Sequence, residues 1–237
     1  MVRENLAFCL KRIEAVTTLA GASSLSVTLV AVTKSVPLLF IYEAIDCGVM
    51  HIAENRIQEA ILKYDPVCAY ASDKGVVLKW HMIGHLQTNK VKDAVRIFDL
   101  IHSVDSLKVA FEINKEAGKM NKVQDALIEV KTSAEVTKYG FAPEEVSEAV
   151  KEISIFKNIK VKGLMTIAPI VDTPEKARPY FRKLRDLSSD LFVCRPSSVV
   201  CRPILSMGMT DDFEAAVQEG ANMVRIGRGI FSERPKI

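Results

Sequence analysis

Short runs of β-branched and other apolar residues recur along this chain of 237 residues, and segments with helical spacing separate them. The first run, residues 27–33, shows no polar alternation, which is typical of a parallel strand that is buried on both faces. Strands that alternate with helices predict βαβ units and a parallel sheet. The runs that predict eight strands are 27–33, 49–53, 76–83, 98–101, 126–130, 159–166, 200–205 and 222–226.

The segments between these runs carry apolar residues three or four positions apart, as amphipathic helices do. They are 37–46, 55–64, 87–95, 106–118, 143–153, 174–190 and 211–219. Eight such units fit an α/β protein of the (β/α)8 or TIM barrel class, in which active sites lie at the carboxyl ends of the strands. A doubly wound open sheet is the alternative, because a sequence does not reveal strand order.

Few residues follow the eighth predicted strand, too few for a full outer helix. An amphipathic helix predicted at residues 3–20 would fill that position. Residues 191–203 are the least regular stretch, and we expect a surface loop there. We therefore predict a single domain over residues 1–237: one TIM barrel with an extra N-terminal helix.

The charge balance and the cysteines limit the environment of the protein. A net charge of +3 is too small to indicate a nucleic-acid partner. The five cysteines form an odd set without a CxxC pair, which favours free thiols in a reducing compartment. Arg3 and Glu4 interrupt the first apolar residues, unlike a secretory signal, and we expect no membrane partner. These features predict a cytoplasmic protein and leave a mitochondrial pool open.

Two glycine-containing turns follow the last two predicted strands. Residues 206–210 are Ser-Met-Gly-Met-Thr, and residues 227–229 are Gly-Arg-Gly. Barrels commonly hold phosphate groups at these two strand ends, where backbone N–H groups and hydroxyls act as donors. Arg225 and Arg228 add positive charge. The turns predict a phosphate site. The equally weighted alternative is that the glycines only permit the turns and the arginines only form a solvent-exposed surface.

Lys34 stands at the end of the first, wholly apolar run. A lysine there projects toward the barrel mouth, where partial burial would lower its pKa and make it a nucleophile for a Schiff base. The alternative is a lysine that extends its amine into solvent. A phosphate site beside such a lysine indicates pyridoxal phosphate or a phosphorylated sugar as the aldehyde. His81 and His85 lack the glutamate and helix of a zincin motif, so we expect no metal site.

Several motifs, in order along the chain, resemble the YggS/PROSC family of pyridoxal-phosphate-binding proteins. The resemblance covers about Val30 to Arg234 and rests on these segments: Ala31-Val-Thr-Lys34, Glu54-Asn-Arg-Ile-Gln-Glu59, Trp80-His-Met-Ile-Gly-His-Leu-Gln-Thr-Asn-Lys90, His102-Ser-Val-Asp-Ser106, Gly163-Leu-Met-Thr166, Leu205-Ser-Met-Gly-Met-Thr210 and Val224-Arg-Ile-Gly227. The family is similar to the barrel domain of alanine racemase. The sequence departs from the family pattern at Lys131 and Ala134, a loop away from the expected cofactor contacts.

The resemblance implies a role for each residue of a cofactor site. Lys34 would hold pyridoxal 5′-phosphate as an internal aldimine, and Arg225 would lie beside the pyridine nitrogen. The residues implied in phosphate binding are Ser206, Thr210, Gly227 and Arg228. The residues implied to line the ring are Asn55, His85 and Met165.

The resemblance also implies a carrier that serves intracellular pyridoxal phosphate homeostasis without turnover, and that acts as a monomer with apo-enzymes as possible recipients. The alternative is an amino-acid racemase or decarboxylase. A two-base racemase needs a second acid or base, often a tyrosine, opposite the lysine. No tyrosine lies at a predicted strand end, and Tyr139 comes nearest. A third alternative, a sugar-phosphate aldolase, would use Lys34 and the phosphate site but leaves the other motifs unexplained.

Overall fold

A computed structural model describes residues 1–19, 27–133, 139–192 and 202–232 of the chain. Within these residues, eight parallel strands form a closed barrel in the order β1 to β8. The strands are β1 (Thr28–Val32), β2 (His51–Glu54), β3 (Lys79–Met82), β4 (Leu100–Val104), β5 (Gln124–Glu129), β6 (Ile159–Met165), β7 (Ile204–Ser206) and β8 (Met223–Ile226).

Helices surround the barrel on its outer face. In the described part of the chain they are α1 (Val2–Leu19), α2 (Leu38–Asp46), α3 (Ile57–Asp73), α4 (Val91–Ile97), α5 (Leu107–Lys119), α6 (Val146–Ser154), α7 (Arg178–Leu191), α8 (Phe213–Gln218) and α9 (Arg228–Phe231). Short 3₁₀ turns precede α4, α6 and α7. None of these helices is long and apolar enough to cross a membrane.

The predicted fold class is confirmed, and the pairing of β1 with β8 excludes a doubly wound open sheet. Ala31 lies beside Ile226 in that pairing, which closes the barrel. The predicted strands differ from the observed ones at their ends, because a run of apolar residues in the sequence does not mark where strand pairing begins or ends. β7 shows this most clearly: it spans Ile204–Ser206, whereas the sequence predicts residues 200–205.

Helix α1 packs against α2, α8 and α9, in the outer position expected for it. The Asn5 side chain donates to the carbonyl oxygen of Ile230 over 3.0 Å. Arg12 forms a bidentate ion pair with Glu214 of α8. The N-terminal helix therefore completes the ring of helices that the short C-terminal helix α9 leaves open.

Strand register decides which side chains point into the barrel. Side chains on paired positions of parallel strands point to the same face. The apolar residues that share the barrel interior are Val30, Val32, Ala53, Leu100, Leu127, Met165 and Met223. The residues paired with them also point inward, and several are polar: His81, Glu129, Ser206 and Arg225. The interior is thus apolar in part, and its polar side chains extend from the carboxyl ends of the strands to His51 at the start of β2.

Cys9, Cys47 and Cys68 are free thiols. The other two cysteines, Cys194 and Cys201, lie outside the described residues, as do Ala134 and most of the predicted loop 191–203.

Candidate functional site

A cavity of about 480 Å³ opens at the carboxyl ends of the barrel strands. Its wall combines loops that follow β1, β2, β3, β6, β7 and β8. Six of the nine residues that the sequence assigns to a cofactor site line it: Lys34, Asn55, Thr210, Arg225, Gly227 and Arg228. The other lining side chains include Ile83 and Ile167, so the wall is apolar between the charged groups.

Lys34 lies in a turn two residues beyond the end of β1. Its side chain is exposed at the barrel mouth, so the expected partial burial of this lysine is wrong. β1 ends at Val32, Thr33 is still buried, and Lys34 is the first residue of the turn that follows. Ser35 adopts a left-handed conformation with φ of 57°, and its backbone N–H donates to Glu59 Oε2 over 2.7 Å.

Behind this turn is a buried ionic cluster. Lys63 Nζ donates to Glu54 Oε1 over 2.8 Å and to the Thr33 carbonyl oxygen over 2.7 Å. Burial raises the pKa of Glu54, while the hydrogen bonds from Lys63 and Thr33 oppose that rise. The cluster joins the start of the Lys34 turn to β2 and α3. It fixes the backbone from which Lys34 extends.

Asn55 and Gly84 lie against each other at the wall of the cavity. A Cβ atom on Gly84 would lie 2.1 Å from the Asn55 carbonyl oxygen, so only glycine permits this approach. The Asn55 side-chain oxygen is buried and has no hydrogen-bond partner within the described chain. Because an unpaired buried acceptor is costly, this oxygen is suited to a ligand that supplies a donor.

The turn after β7 is shaped by Gly208, whose φ is 90° and whose Cβ would lie 2.6 Å from Ala216 Cβ. Thr210 Oγ1 accepts from the Gly229 backbone N–H over 3.2 Å and thereby joins this turn to the one after β8. Among the described residues, the backbone N–H groups of Thr210, Asp211 and Arg228 have no acceptor. All three residues line the cavity, which suits an anion.

Arg228 forms an ion pair with Asp211, at 2.5 Å between Nη2 and Oδ2. Both side chains are about three-quarters exposed, at 73% each. Arg228 therefore contributes less net charge to the cavity than its position in the sequence indicates. Besides Arg228, the turns after β7 and β8 provide backbone N–H groups and the Thr210 hydroxyl as donors for an anion.

Arg225 is buried inside the barrel and reaches the cavity from below. Its Nη1 donates to Ser206 Oγ over 2.7 Å, and its Nη2 donates to the Thr166 carbonyl oxygen over 3.0 Å. Both acceptors are neutral, and no carboxylate of the described chain lies within ion-pair distance. Burial lowers the pKa of Arg225 to about 10, while the charges of Glu129 and Asp212 oppose that change. The guanidinium is still charged at neutral pH.

The other three residues assigned to the site do not line the cavity. Ser206 and Met165 are fully buried beside it. His85 is exposed next to the cavity-lining Gly84, and its ring stacks on Tyr139 with centroids 3.6 Å apart. His85 Nδ1 also lies 2.8 Å from Asp105 Oδ2. Ser206 thus contacts Arg225 rather than the cavity.

Sequence reasoning missed Glu129, the last residue of β5. Its side chain points into the barrel, because it pairs with Met165. Burial raises its pKa to about 7, with a further contribution from Asp105. The sequence did offer an indication of this residue. Glu129 is a carboxylate near the end of an otherwise apolar predicted strand, and it stands two residues after Leu127, so both side chains lie on the same face of the strand.

Comparison with known families gives a match over most of the chain. The alanine racemase N-terminal domain family matches residues 10–235. A curated relative from Aquifex aeolicus, named pyridoxal phosphate homeostasis protein, is 45% identical over 231 residues. The alignment covers 98% of this chain and 97% of the relative.

Two solved structures place this barrel among known ones. PipY of Synechococcus elongatus, solved with pyridoxal phosphate bound, is 33% identical with a TM-score of 0.79, over 98% of this chain and 100% of PipY. Alanine racemase of Clostridium difficile is 18% identical with a TM-score of 0.70. That alignment covers 98% of this chain but 57% of the racemase, so it shows a shared fold.

Proposed function

The chain belongs to the pyridoxal phosphate homeostasis proteins, within the alanine racemase N-terminal domain family, and we propose that it binds pyridoxal 5′-phosphate reversibly in the cavity at the barrel mouth. The observation that carries the proposal is the convergence of Lys34, Arg225 and the unpaired backbone donors after β7 and β8 on one cavity. The relative PipY, whose structure contains pyridoxal phosphate, supports the same ligand.

The residues present fit this cofactor at each of its polar ends. The phosphate needs donors, and the turns at Thr210 and Arg228 supply backbone N–H groups that have no acceptor in the described part of the chain. The pyridine nitrogen needs a donor if it is to stay unprotonated, and Arg225 can only donate. The ring needs an apolar wall, which Ile83 and Ile167 provide. The buried oxygen of Asn55 offers an acceptor at the cavity wall.

Lys34 supplies the amine for covalent attachment. The amine and the cofactor aldehyde condense to an imine with loss of one water molecule, and water reverses the reaction. Lys34 is exposed, so water and competing amines reach it easily. Such an arrangement suits storage and release of a reactive aldehyde.

We further propose that the protein turns over no amino acid of its own. When bound, the cofactor can act as an electron sink, to a degree set by the group beside its pyridine nitrogen. Arg225 in that position would keep the nitrogen unprotonated and the sink weak. Tyr139 stacks on His85 and does not line the cavity. The described cavity therefore presents no tyrosine opposite Lys34.

The same proposal covers partners and location. We propose a monomer that exchanges the cofactor with apo-enzymes in the cytoplasm, without nucleic acid.

The test is to incubate the purified protein with pyridoxal phosphate, record the visible absorption, reduce with borohydride and map the labelled peptide. We expect a yellow species whose reduction adds the cofactor mass to the peptide that contains Lys34. The variant Lys34→Ala should lose the band and keep its far-UV circular dichroism. Lys131→Ala changes another lysine just beyond a strand end and serves as the matched control, which should keep the band. Label on a different lysine in the unmodified protein would overturn the assignment.

A further inference from the structure

A chain of hydrogen bonds runs through the barrel interior from Arg225 to the opposite end. Ser206 Oγ accepts from Arg225 and lies 2.9 Å from His102 Nδ1. His102 Nε2 lies 2.9 Å from His81 Nδ1. His81 Nε2 lies 2.9 Å from His51 Nδ1. His102 and His81 thus each use both ring nitrogens in this series of hydrogen bonds, whereas His51, at its end, uses one.

The far end of this chain lies at the amino-terminal side of the barrel. His51 is the first residue of β2, and it lines a second cavity of about 490 Å³ between α1 and the starts of β1 and β2. The described residues contain no cluster of three or more His, Cys, Asp or Glu arranged to hold a metal. The histidine rings are bonded in series and do not converge on one point.

The three rings are neutral at physiological pH. Burial lowers the pKa of His81 to about 3, with repulsion from His51 and Lys79 and a weak opposing effect of Asp99. Burial, with the charges of His81 and Arg225, also lowers the pKa of His102. His51 is half-buried, and burial lowers its pKa as well. The negative charge of Asp99 opposes this change, and the positive charge of Lys79 adds to it. Each neutral ring therefore carries one N–H and one bare nitrogen.

Neutral rings bonded in series allow only two arrangements. Either every N–H points away from Ser206, or every N–H points toward it, because any mixture sets two donors or two bare nitrogens against each other. In the first arrangement Ser206 donates to His102, and all three rings carry their proton on Nε2. In the second, the rings carry it on Nδ1, and the Ser206 hydroxyl hydrogen has no acceptor among the described residues.

Arg225 decides between the two. Its guanidinium can only donate, so Ser206 Oγ must accept from it. The first arrangement turns the bare nitrogens, the negative ends of the ring dipoles, toward this buried cation. The second turns the N–H ends toward it. Since hydrogen bonds in series polarise one another, the first arrangement strengthens Ser206 as an acceptor for Arg225.

We propose that His102, His81 and His51 form a relay of fixed polarity, each protonated on Nε2, that positions Arg225 at the cavity through Ser206. These histidines are positioning residues, because none of them lines the cavity at the barrel mouth. The relay takes the place of the carboxylate that a buried arginine usually pairs with. Its consequence for cofactor binding rests on the proposed function, whereas the state of the rings does not.

Nitrogen NMR of the uniformly labelled protein tests the relay without added cofactor. The chain has only four histidines, so single substitutions assign every ring. We expect His51, His81 and His102 to be neutral and protonated on Nε2 at pH 7. A charged ring, or one protonated on Nδ1, in the unsubstituted protein would overturn the relay. Repeating the cofactor titration on the same sample separates the two proposals, since the rings can be as expected in a protein that binds no pyridoxal phosphate.

A variant at His81 tests the positioning role, because it breaks the series of hydrogen bonds beyond His102, two hydrogen bonds away from Arg225. His81→Phe should let His102 take up its proton on Nδ1 in part of the molecules. Hydrogen exchange of the Arg225 side chain should then speed up by about three- to tenfold, the range expected for the loss of one net hydrogen bond. His81→Gln offers both a donor and an acceptor and should give an intermediate rate. The positioning role would be overturned if the Arg225 side chain exchanged at the same rate in His81→Gln as in the unsubstituted protein. It would also be overturned if His81→Phe folds and the two variants exchange at the same rate.

Discussion

Lys63 Nζ donates to the carbonyl oxygen of Thr33 over 2.7 Å and thereby links α3 to the residue that precedes Lys34. The same amine is the charged partner of the buried Glu54 carboxylate. A single lysine outside the cavity thus neutralises a buried acid and fixes the backbone of the covalent attachment point.

Lys63→Met should destabilise the protein by about 3 kcal/mol, because it leaves the buried Glu54 carboxylate without its charged partner and with only the Thr33 hydroxyl as a donor among the described residues. Urea unfolding at pH 7 measures this. Lys151→Met breaks an ion pair with Glu148 whose side chains are 70% and 68% exposed, and it should cost less than about 1 kcal/mol. The double variant Glu54→Gln with Lys63→Met should recover part of the loss. Equal costs for the two lysine variants would contradict this account of the cluster.

Glu129→Gln should change how stability depends on pH. The folded protein holds the Glu129 proton up to about pH 7, whereas the ordinary value for this carboxyl is 4.5. The folded state therefore binds more protons than the unfolded state between these values, so its stability falls as pH rises through that window. The glutamine variant lacks this slope and should be more stable than the unsubstituted protein at pH 8, by up to about 3 kcal/mol. Urea unfolding from pH 4 to pH 8 checks it, with the exposed Glu148→Gln as control. Parallel stability curves would show that Glu129 titrates normally.

Thr210→Val should weaken pyridoxal phosphate binding by about tenfold, since it removes one hydroxyl donor to a charged phosphate and the link to Gly229. Fluorescence or absorption titration measures the dissociation constant. Thr18→Val, which removes an exposed hydroxyl on α1 bonded to Glu14, is the control and should bind normally. An affinity that Thr210→Val leaves unchanged would place the phosphate elsewhere.

The protein loaded with cofactor should not exchange the Cα proton of amino acids. Lys34 would deliver protons from one face only, and the described cavity has no tyrosine for the other. Incubation with L-alanine, L-serine, L-lysine and L-ornithine in heavy water, followed by mass spectrometry and chiral analysis, tests this. Rapid deuteration, racemisation or decarboxylation that disappears in Lys34→Ala would instead favour a racemase or decarboxylase.

Light scattering at micromolar concentration should give a mass near 26.3 kDa, the mass of one chain. The reason is that the groups proposed to hold the cofactor all come from one barrel. Pyridoxal phosphate should leave this mass unchanged. A stable dimer would require a search for residues that one chain contributes to the cavity of its partner.

Eight buried strands that alternate with amphipathic helices predicted a parallel sheet covered by helices, and they left a doubly wound open sheet as the alternative to a closed barrel. The sequence also indicated which turns carry Lys34 and Thr210, since strand ends and glycines are local features. It did not determine where β7 begins, because apolar loops and apolar strands look alike in one dimension.

How these residues are used depends on contacts between distant parts of the chain. Ser206 and Arg225 lie on different strands, and the pairing of β7 with β8 brings them into contact, so Ser206 serves Arg225 instead of the cavity. The series from His51 to His102 likewise depends on the register of three neighbouring strands, which a sequence does not specify. The exposure of Lys34 depends on a left-handed Ser35 held by Glu59, 24 positions away. Each of these contacts joins residues that are distant in the chain, and for that reason no local pattern encodes them.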